Sequence, residues 1–356
     1  VAELILARVA IGARILAESN AWNRRRSCNR MVFNMSKSEQ NEAQLLQRLG
    51  RSVEQIEARL RPEPWEDDLS RNTLDTAPFA NLPPVSERSD EEFSQQARAV
   101  TPELLQGADL RTLAARDPWP IPVPEDREGY SPGLDVQYWA SGLADYLKVS
   151  QAARQLGVEI QRYFDFGCAS GRVLRHFAAQ TDITEAWGSD INQRHVRWLY
   201  EHLPQQVKPI FNHTIPTLPI PDNYFDVITA FSVFTHIDTF ETAWLAELRR
   251  VLRPGGMAYL TVHNEATWEI LRGELENPNN RLVQAILKVD PNFATAVHGP
   301  LPDCRTVYRH QKQGPYRAQV FHSNNYLRNV WGRFFEVVEI LPKHHVRQTV
   351  MLLRKP

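Results

Sequence analysis

The stretch Tyr163-Phe164-Asp165-Phe166-Gly167-Cys168-Ala169-Ser170-Gly171-Arg172 decides the fold. Tyr163, Phe164 and Phe166 are strand formers, and Val173, Leu174, Phe177 and Ala178 then recur at helical spacing. The run therefore reads as a buried strand, a glycine turn and the start of a helix. Glycines at 167 and 171 let the backbone turn tightly and approach a ligand closely. The free N–H groups that open the helix face whatever sits there. An acid at the strand end, Asp165, favours a ligand carrying an amine or hydroxyls. The segment predicts a small-molecule site at the top of an α/β sheet.

The rhythm continues on both sides of the turn. Strands are expected at Arg162–Phe166, Glu185–Ser189, Val207–Phe211, Phe225–Ala230 and Met257–His263, with helices at Arg172–Ala179, Gln193–His202 and Phe240–Leu252. Trp139, Leu143, Tyr146, Leu147 and Val149 add a helix over Tyr138–Leu156. Arg253-Pro254-Gly255-Gly256 reads as a helix stop and turn. Alternation of this kind argues for a parallel sheet covered on both faces. The end of the chain differs. Phe334–Leu341 and Val346–Leu353 are strands joined by only a few residues around Pro342-Lys343-His344-His345. So short a link permits an antiparallel hairpin and excludes a helical crossover. The expected fold class is α/β: a Rossmann-like, seven-stranded, mostly parallel sheet with an antiparallel last strand, helices on both faces and a helical N-terminal extension.

This domain is expected over 135–356, with a substrate-side insertion at 265–326 that has helical pieces, prolines and glycines, and with one more helix at Ser323–Trp331. Before it, 61–134 is rich in proline and reads as a linker with some helix, extended around Pro118, Pro120, Pro122 and Pro124. Residues 39–60 carry Leu45, Leu49, Val53, Ile56 and Leu60 at helical spacing. That narrow seam suits a helix packed on its own domain, or a short coiled coil and hence a homodimer. The first 38 residues read as disordered or as a start-site extension, since the chain opens on valine while Met31 and Met35 lie downstream.

Composition narrows the function. The chain has 356 residues, room for an ample core, and a net charge of −1, which provides no clustered basic face for nucleic acid. No uninterrupted apolar run approaches the roughly 20 residues that cross a bilayer. Three scattered cysteines, Cys28, Cys168 and Cys304, form neither a disulfide framework nor a metal-ligand pair, so the expected compartment is a reduced cytoplasm. The group His298, Cys304, Tyr308 and His310 fits no metal spacing, and no metal is expected.

A strand, a glycine turn and a helix are shared by many nucleotide enzymes. The second strand ends in Trp187-Gly188-Ser189-Asp190-Ile191-Asn192, and Asp190 can accept both hydroxyls of a ribose or cap the next helix. A dinucleotide fits poorly. The G-x-G-x-x-G pattern is missing, and Asp165 would repel a pyrophosphate. A nucleoside with a cationic amino-acid end fits better.

At this point the chain resembles the class I S-adenosylmethionine-dependent methyltransferases of the broad small-molecule type, similar to methyltransferase type 11. The family's first motif falls on Asp165, Gly167, Ala169 and Gly171, with alanine in place of its middle glycine. Its ribose acid falls on Asp190. The fourth-strand motif falls on Leu218–Ile228, the wall beside the methionine end on Phe231–Ile237, and the turn before the fifth strand on Leu248–Gly256. The resemblance covers about half of the chain and implies S-adenosyl-L-methionine as cofactor. It places the methionine amine near Asp165 and the backbone of Phe231, the ribose on Asp190, and adenine between Ile191 and Asn212. Asn212 stands where the family often has an acid, and its amide oxygen can still accept from the adenine amine.

The implied activity is methyl transfer to a hydroxyl or amine of a small molecule or glycan. A hydroxyl acceptor needs a base, and His236 and His263, both just beyond strand ends, are the candidates. Packing is the competing account of both histidines, and more strongly of His263. Trp139 and Tyr146 can close over the cofactor or serve the core. Two other readings stay open: a non-catalytic binding or scaffold protein that keeps the fold, and a nicotinamide-dependent oxidoreductase.

Overall fold

A computed structural model describes residues 110–130, 135–180, 183–310 and 317–356. The expectations for 1–38 and 39–60 lie outside the described residues. All described residues fall in the second of the chain's two units, 62–356.

The central strand is β1 (Arg162–Phe166), buried on both faces from Tyr163 onward. Its side chains alternate. Tyr163 joins the core beneath one set of helices, while Phe164 and Phe166 join the core on the other face. Parallel to it run β2 (Glu185–Asp190), β3 (Val207–Phe211), β4 (Phe225–Ala230) and β5 (Leu252–Val262). The last strands, β8 (Glu336–His345) and β9 (Gln348–Arg354), form a hairpin, and β9 pairs antiparallel with β5. The seven strands are ordered 3-2-1-4-5-9-8. The order reverses between β1 and β4, and open α/β sheets bind ligands at the carboxyl ends beside such a switch.

Around the sheet, α1 (Leu110–Ala115), α2 (Asp135–Gln155), α3 (Leu174–Gln180), α4 (Gln193–His202) and α5 (Glu241–Val251) precede β5 in the chain. One core packs Trp139 and Leu143 of α2 and Phe177 of α3 on Tyr163, whose ring stacks on Phe177 at 3.6 Å. The other packs Trp244, Leu245 and Leu248 of α5 on Phe164 and Phe225. The expected elements are present, with boundaries shifted by a few residues. Arg253-Pro254-Gly255-Gly256 differs. It is a bulge inside β5, where the pairing with β4 jumps from Phe225–Leu252 to Val227–Met257.

The insertion folds around a third core of Trp268, Leu271, Val283, Ile286, Phe293 and Phe321. It comprises α6 (Glu265–Gly273), α7 (Arg281–Val289), α8 (Phe293–Ala296) and an antiparallel hairpin of β6 (Arg305–Arg309) and β7 (Ala318–His322), followed by α9 (Asn324–Val330). The hairpin was not expected. β6 is only half-buried, so it lacks the apolar signal of a core strand.

The proline-rich segment is a second departure. Residues 117–130 pack on the domain as a strap. Asp117 is fully buried against Arg175 of α3, and Ile121 enters the core of α2 and α3. Trp139 donates its indole N–H to Asp117 at 2.7 Å and is fully buried. Trp139 therefore serves the core and holds the strap. Among the described residues no helix is long and apolar enough to cross a membrane.

Candidate active site

A cavity of about 1200 Å³ opens at the carboxyl ends of β1, β2 and β4, beside the topological switch. Ordinary ligand sites measure roughly 300–1,000 Å³, so the volume accommodates a cofactor together with an acceptor. Asp165, Gly167, Ala169, Asp190, Ile191, Asn212, Phe231 and His236 all line it. Gly171 stands behind them and closes the turn at φ 77°, its N–H donating to Cys168 O at 2.9 Å. His263 does not line the cavity. It is buried, stacked on Phe321 at 5.2 Å, and burial pushes it down to about 3. The expectation that His263 acts as a base is corrected: the strand end carries it under the insertion instead of over the ligand.

The turn is tight for identifiable reasons. Gly167 has φ 73°, and a Cβ there would collide with the Val233 side chain. Its N–H and that of Cys168 both donate to Ser189 O at the end of β2, at 2.8 and 2.9 Å. Ala169 holds φ 45°, the left-handed region that an L-residue adopts at a cost of about 1–2 kcal/mol. Ala169 thus holds a backbone conformation that glycine adopts freely. Cys168 is buried, and burial raises its thiol well above the ordinary value, so it is a packing residue of the turn.

Asp190 braces the turn from β2. One oxygen accepts from the Ala169 N–H and the other from the Asn192 N–H, both at 2.8 Å. The cap of α4 is Asn192, which accepts from the Arg194 N–H. Each Asp190 oxygen keeps a second lone pair for a hydroxyl. His195 sits behind, with Nδ1 at 3.8 Å from Asp190 and Nε2 at 3.2 Å from Glu128 of the strap. Burial alone would lower the imidazole, yet Asp190, Glu128 and Asp126 together raise it.

Asp165 is buried on the Tyr163 face of β1. The Tyr163 hydroxyl meets Thr229 Oγ1 at 2.6 Å, and Thr229 donates to Asp165 at 2.8 Å. Burial pushes the Asp165 carboxyl up to about 7, more than the Thr229 bond and the Arg172 charge pull it down. Asn212 is also buried. Its amide N–H donates to His213 O, which leaves Oδ1 without a partner. A buried acceptor facing a cavity is costly unless a donor arrives. A ribose, a cationic amine and an aromatic amine match Asp190, Asp165 and Asn212 respectively.

Apart from Ser232, which falls in the Phe231–Ile237 segment, the sequence did not single out the remaining wall. Arg127, Glu128 and Tyr130 of the strap, Arg172 after the turn, Ser232 after β4 and His345 of the last hairpin all face the cavity. Arg194 fixes the strap from outside through Asp126, at 2.6 and 2.9 Å. His236 donates from Nδ1 to Ala318 O at 2.9 Å, and burial pushes it down to about 4. Among the described residues, no three His, Cys, Asp or Glu side chains group in a way that could hold a metal ion.

The order of strands, the glycine turn and the two acids define the class I S-adenosylmethionine-dependent methyltransferase architecture. Residues 164–260 match the methyltransferase domain family. Curated relatives include the ubiquinone/menaquinone biosynthesis C-methyltransferases UbiE of Cupriavidus metallidurans, 38% identical over 102 residues, and of Burkholderia vietnamiensis, 35% identical over 130 residues. The first match covers 27% of this chain and 40% of the relative, the second 35% and 50%. The chain thus spans half or less of their length. Among solved structures, a 1,6-didemethyltoxoflavin-N1-methyltransferase of Burkholderia thailandensis, bound to its substrate and S-adenosylhomocysteine, aligns at 15% identity with a TM-score of 0.40, covering 76% of this chain and 93% of that one. A putative methyltransferase complexed with the activator Trm112, from Haloferax volcanii, aligns at 14% identity with a TM-score of 0.42 over 76% of this chain and all of that chain.

Proposed function

We propose that this protein is an S-adenosylmethionine-dependent methyltransferase acting on a hydroxyl or amine of a small molecule or glycan. The observation that carries the reading is the convergence of Asp165, Asp190 and the unpartnered Asn212 Oδ1 on one cavity at the β1/β4 switch. Bound there, the cofactor supplies an electrophilic methyl group on a sulfonium, and the protein chiefly has to align an acceptor with it. In this assignment Asp165 and the Phe231 segment hold the methionine end and Asp190 the ribose, while Ile191 and Asn212 flank adenine and Gly167, Ala169 and Gly171 shape the cradle. The insertion and the strap form the acceptor side. His236 lies on that side, but its depressed basicity suits it poorly to taking a proton at neutral pH. The relatives' names specify a carbon acceptor. The insertion on the acceptor side lies beyond the matched family segment, so those names do not extend to it.

Calorimetric titration with S-adenosylhomocysteine and NAD tests this directly. Binding of the first and not the second is expected. The reverse would move the protein to the oxidoreductases. Asp190→Ala is expected to weaken S-adenosylhomocysteine binding about tenfold, the worth of two hydroxyl bonds to a carboxylate at roughly 1–2 kcal/mol in all. Unchanged affinity would remove Asp190 from the ribose.

Asp165 provides a second test, through pH. Its folded-state pKa is raised, so the free protein holds this proton up to about pH 7. A cationic amine favours the ionised carboxylate, so binding must release the proton below that pH. Affinity is expected to fall by up to about tenfold per pH unit below about 7, and to level off above it. Folding has the opposite sign: stability contributed by the protonated Asp165 is lost as pH rises from about 4 to about 7. Calorimetry in buffers of different ionisation enthalpy counts the released proton. Asp165→Asn should abolish the release, and its persistence would assign the proton elsewhere.

A further inference from the structure

One wall of the cavity holds a chain of polar groups that cofactor binding does not explain. Gln348 donates from Nε2 to Ser232 Oγ at 2.9 Å, and Ser232 Oγ lies 2.9 Å from the Tyr130 hydroxyl. The Tyr130 oxygen is in turn 2.9 Å from His345 Nε2, and His345 Nδ1 is 3.1 Å from Asp145 Oδ1. The second Asp145 oxygen takes Arg172 Nη2 at 2.7 Å, and the Arg172 guanidinium lies 4.0 Å above the Tyr130 ring.

The carboxylate fixes every direction in this chain. Arg172, paired with Asp145 at 2.7 Å, favours the ionised carboxylate. An ionised carboxylate only accepts, so His345 Nδ1 carries a proton. In the neutral imidazole Nε2 is then a bare lone pair, and the Tyr130 hydroxyl donates to it. Ser232 donates to the Tyr130 oxygen, and the chain runs one way toward Asp145.

Packing does not call for this arrangement. Its members come from the strap, α2 and the last hairpin, 215 and 200 residues apart in sequence. His345 is buried and meets the Phe231 ring at 4.9 Å, in a wall where apolar side chains of similar volume would be at least as stable. Ser232 is held with φ 60° by its own N–H donating to Thr261 Oγ1, which keeps its hydroxyl available to Tyr130. Tyr130, Ser232, His345 and Gln348 line the cavity.

We propose that Tyr130, His345 and Asp145 form a proton-accepting chain for a hydroxyl-bearing methyl acceptor. The proposal rests on the methyltransferase reading and narrows its acceptor class. As the acceptor oxygen bonds the methyl carbon, its O–H bond breaks and the proton passes to the Tyr130 oxygen. The phenolic proton moves to His345 Nε2, and Asp145 balances the imidazolium. The electron pair that held the methyl group stays with sulfur. The imidazolium then returns its proton to water through Tyr130. The charged and titratable groups around His345 are Asp145, Arg172 and Tyr130, with Lys148, His344 and Glu339 near the hairpin.

The test begins without any acceptor. In protein carrying nitrogen-labelled histidine, the His345 resonances should show the proton on Nδ1 and Nε2 as a hydrogen-bond acceptor. Tyr130→Phe removes the donating hydroxyl and should shift the Nε2 resonance. A proton on Nε2 in place of Nδ1, or an Nε2 resonance indifferent to Tyr130→Phe, overturns the proposal. Asp145 also holds Arg172, so its replacement threatens the fold, and His345→Gln is the second variant instead. With labelled S-adenosylmethionine and catechol or simple primary alcohols as probes, both variants should lose about 10²–10⁴-fold in kcat. Their S-adenosylhomocysteine affinity should stay unchanged. A wild-type protein that binds S-adenosylhomocysteine and methylates none of these hydroxyl probes overturns the proposal while sparing the methyltransferase reading. Failure to bind it overturns that reading instead.

Discussion

Asp117→Ala is expected to destabilise the domain by about 3–5 kcal/mol, the cost of leaving a buried cation without its anion. Arg175 is fully buried. It donates from Nε and Nη2 to the two Asp117 oxygens, each at 2.7 Å, and to the Pro120 and Trp119 carbonyls at 2.8 and 2.7 Å. The Trp139 indole adds a third donor to the carboxylate. Alanine removes the only negative charge in this set and leaves the guanidinium on neutral carbonyls. The midpoint of urea unfolding should drop sharply with little change in slope. Asp117→Asn keeps the volume and one acceptor, so it should fall between alanine and wild type.

The double variant Asp117→Leu with Arg175→Met discriminates between causes. Replacing both members of a buried pair by apolar groups is often neutral or better. If the pair itself is the issue, the double variant should recover most of the loss. A midpoint as low as that of Asp117→Ala would instead assign the loss to the strap's carbonyl bonds. The consequence for the site is direct, because the strap leads from Asp117 to Tyr130. A detached strap removes Arg127, Glu128 and Tyr130 from the cavity wall and should weaken S-adenosylhomocysteine binding along with stability.

The strap also marks where the sequence stops being legible. Asp165, Gly167 and Asp190 could be read locally, because strand alternation, a turn and a following helix announce themselves within about 30 residues. The antiparallel hairpin was legible from the brevity of its link. Prolines at 118, 120, 122 and 124 suit a solvated linker and a packed strap equally. Only the partner Arg175, some 58 residues away, decides between them. Tyr130, Asp145 and His345 are farther apart still, and each alone resembles an ordinary surface or helix residue. His236 and His263 each follow a strand, and the sequence separated them only weakly, packing being the stronger reading for His263. The insertion separates them by covering one and leaving the other on the wall. Local pattern determines which strand ends carry ligands, whereas packing determines which side chains reach them.

Gly142→Ala is expected to destabilise the protein by about 3 kcal/mol net, against the sign that helix propensity predicts. Gly142 is buried in the middle of α2, where exchange to alanine ordinarily gains about 1 kcal/mol. Here a Cβ would overlap the Arg172 carbonyl oxygen and lie 2.9 Å from its carbon and 3.0 Å from His176 Cδ2. The oxygen is backbone, so no rotamer change relieves the overlap, and α2 must move away from the turn. The displacement also strains the bond from His176 Nε2 to the Trp139 carbonyl, now 2.9 Å. Burial pushes His176 down to about 3, so it is neutral and donates there as an N–H. Overpacking of this kind costs about 1–3 kcal/mol and more when the partner cannot yield, which outweighs the helix gain. Because Arg172 directly follows Gly171, the same movement disturbs the cofactor cradle and the Arg172–Asp145 pair. S-adenosylhomocysteine affinity should therefore fall with stability. Gly157→Ala is a control of opposite design: that glycine has φ 65° and no atom within 4 Å of a Cβ, so only its backbone strain should register, with cofactor affinity unaffected. If Gly142→Ala stabilises the protein, α2 does not rest on the turn as described.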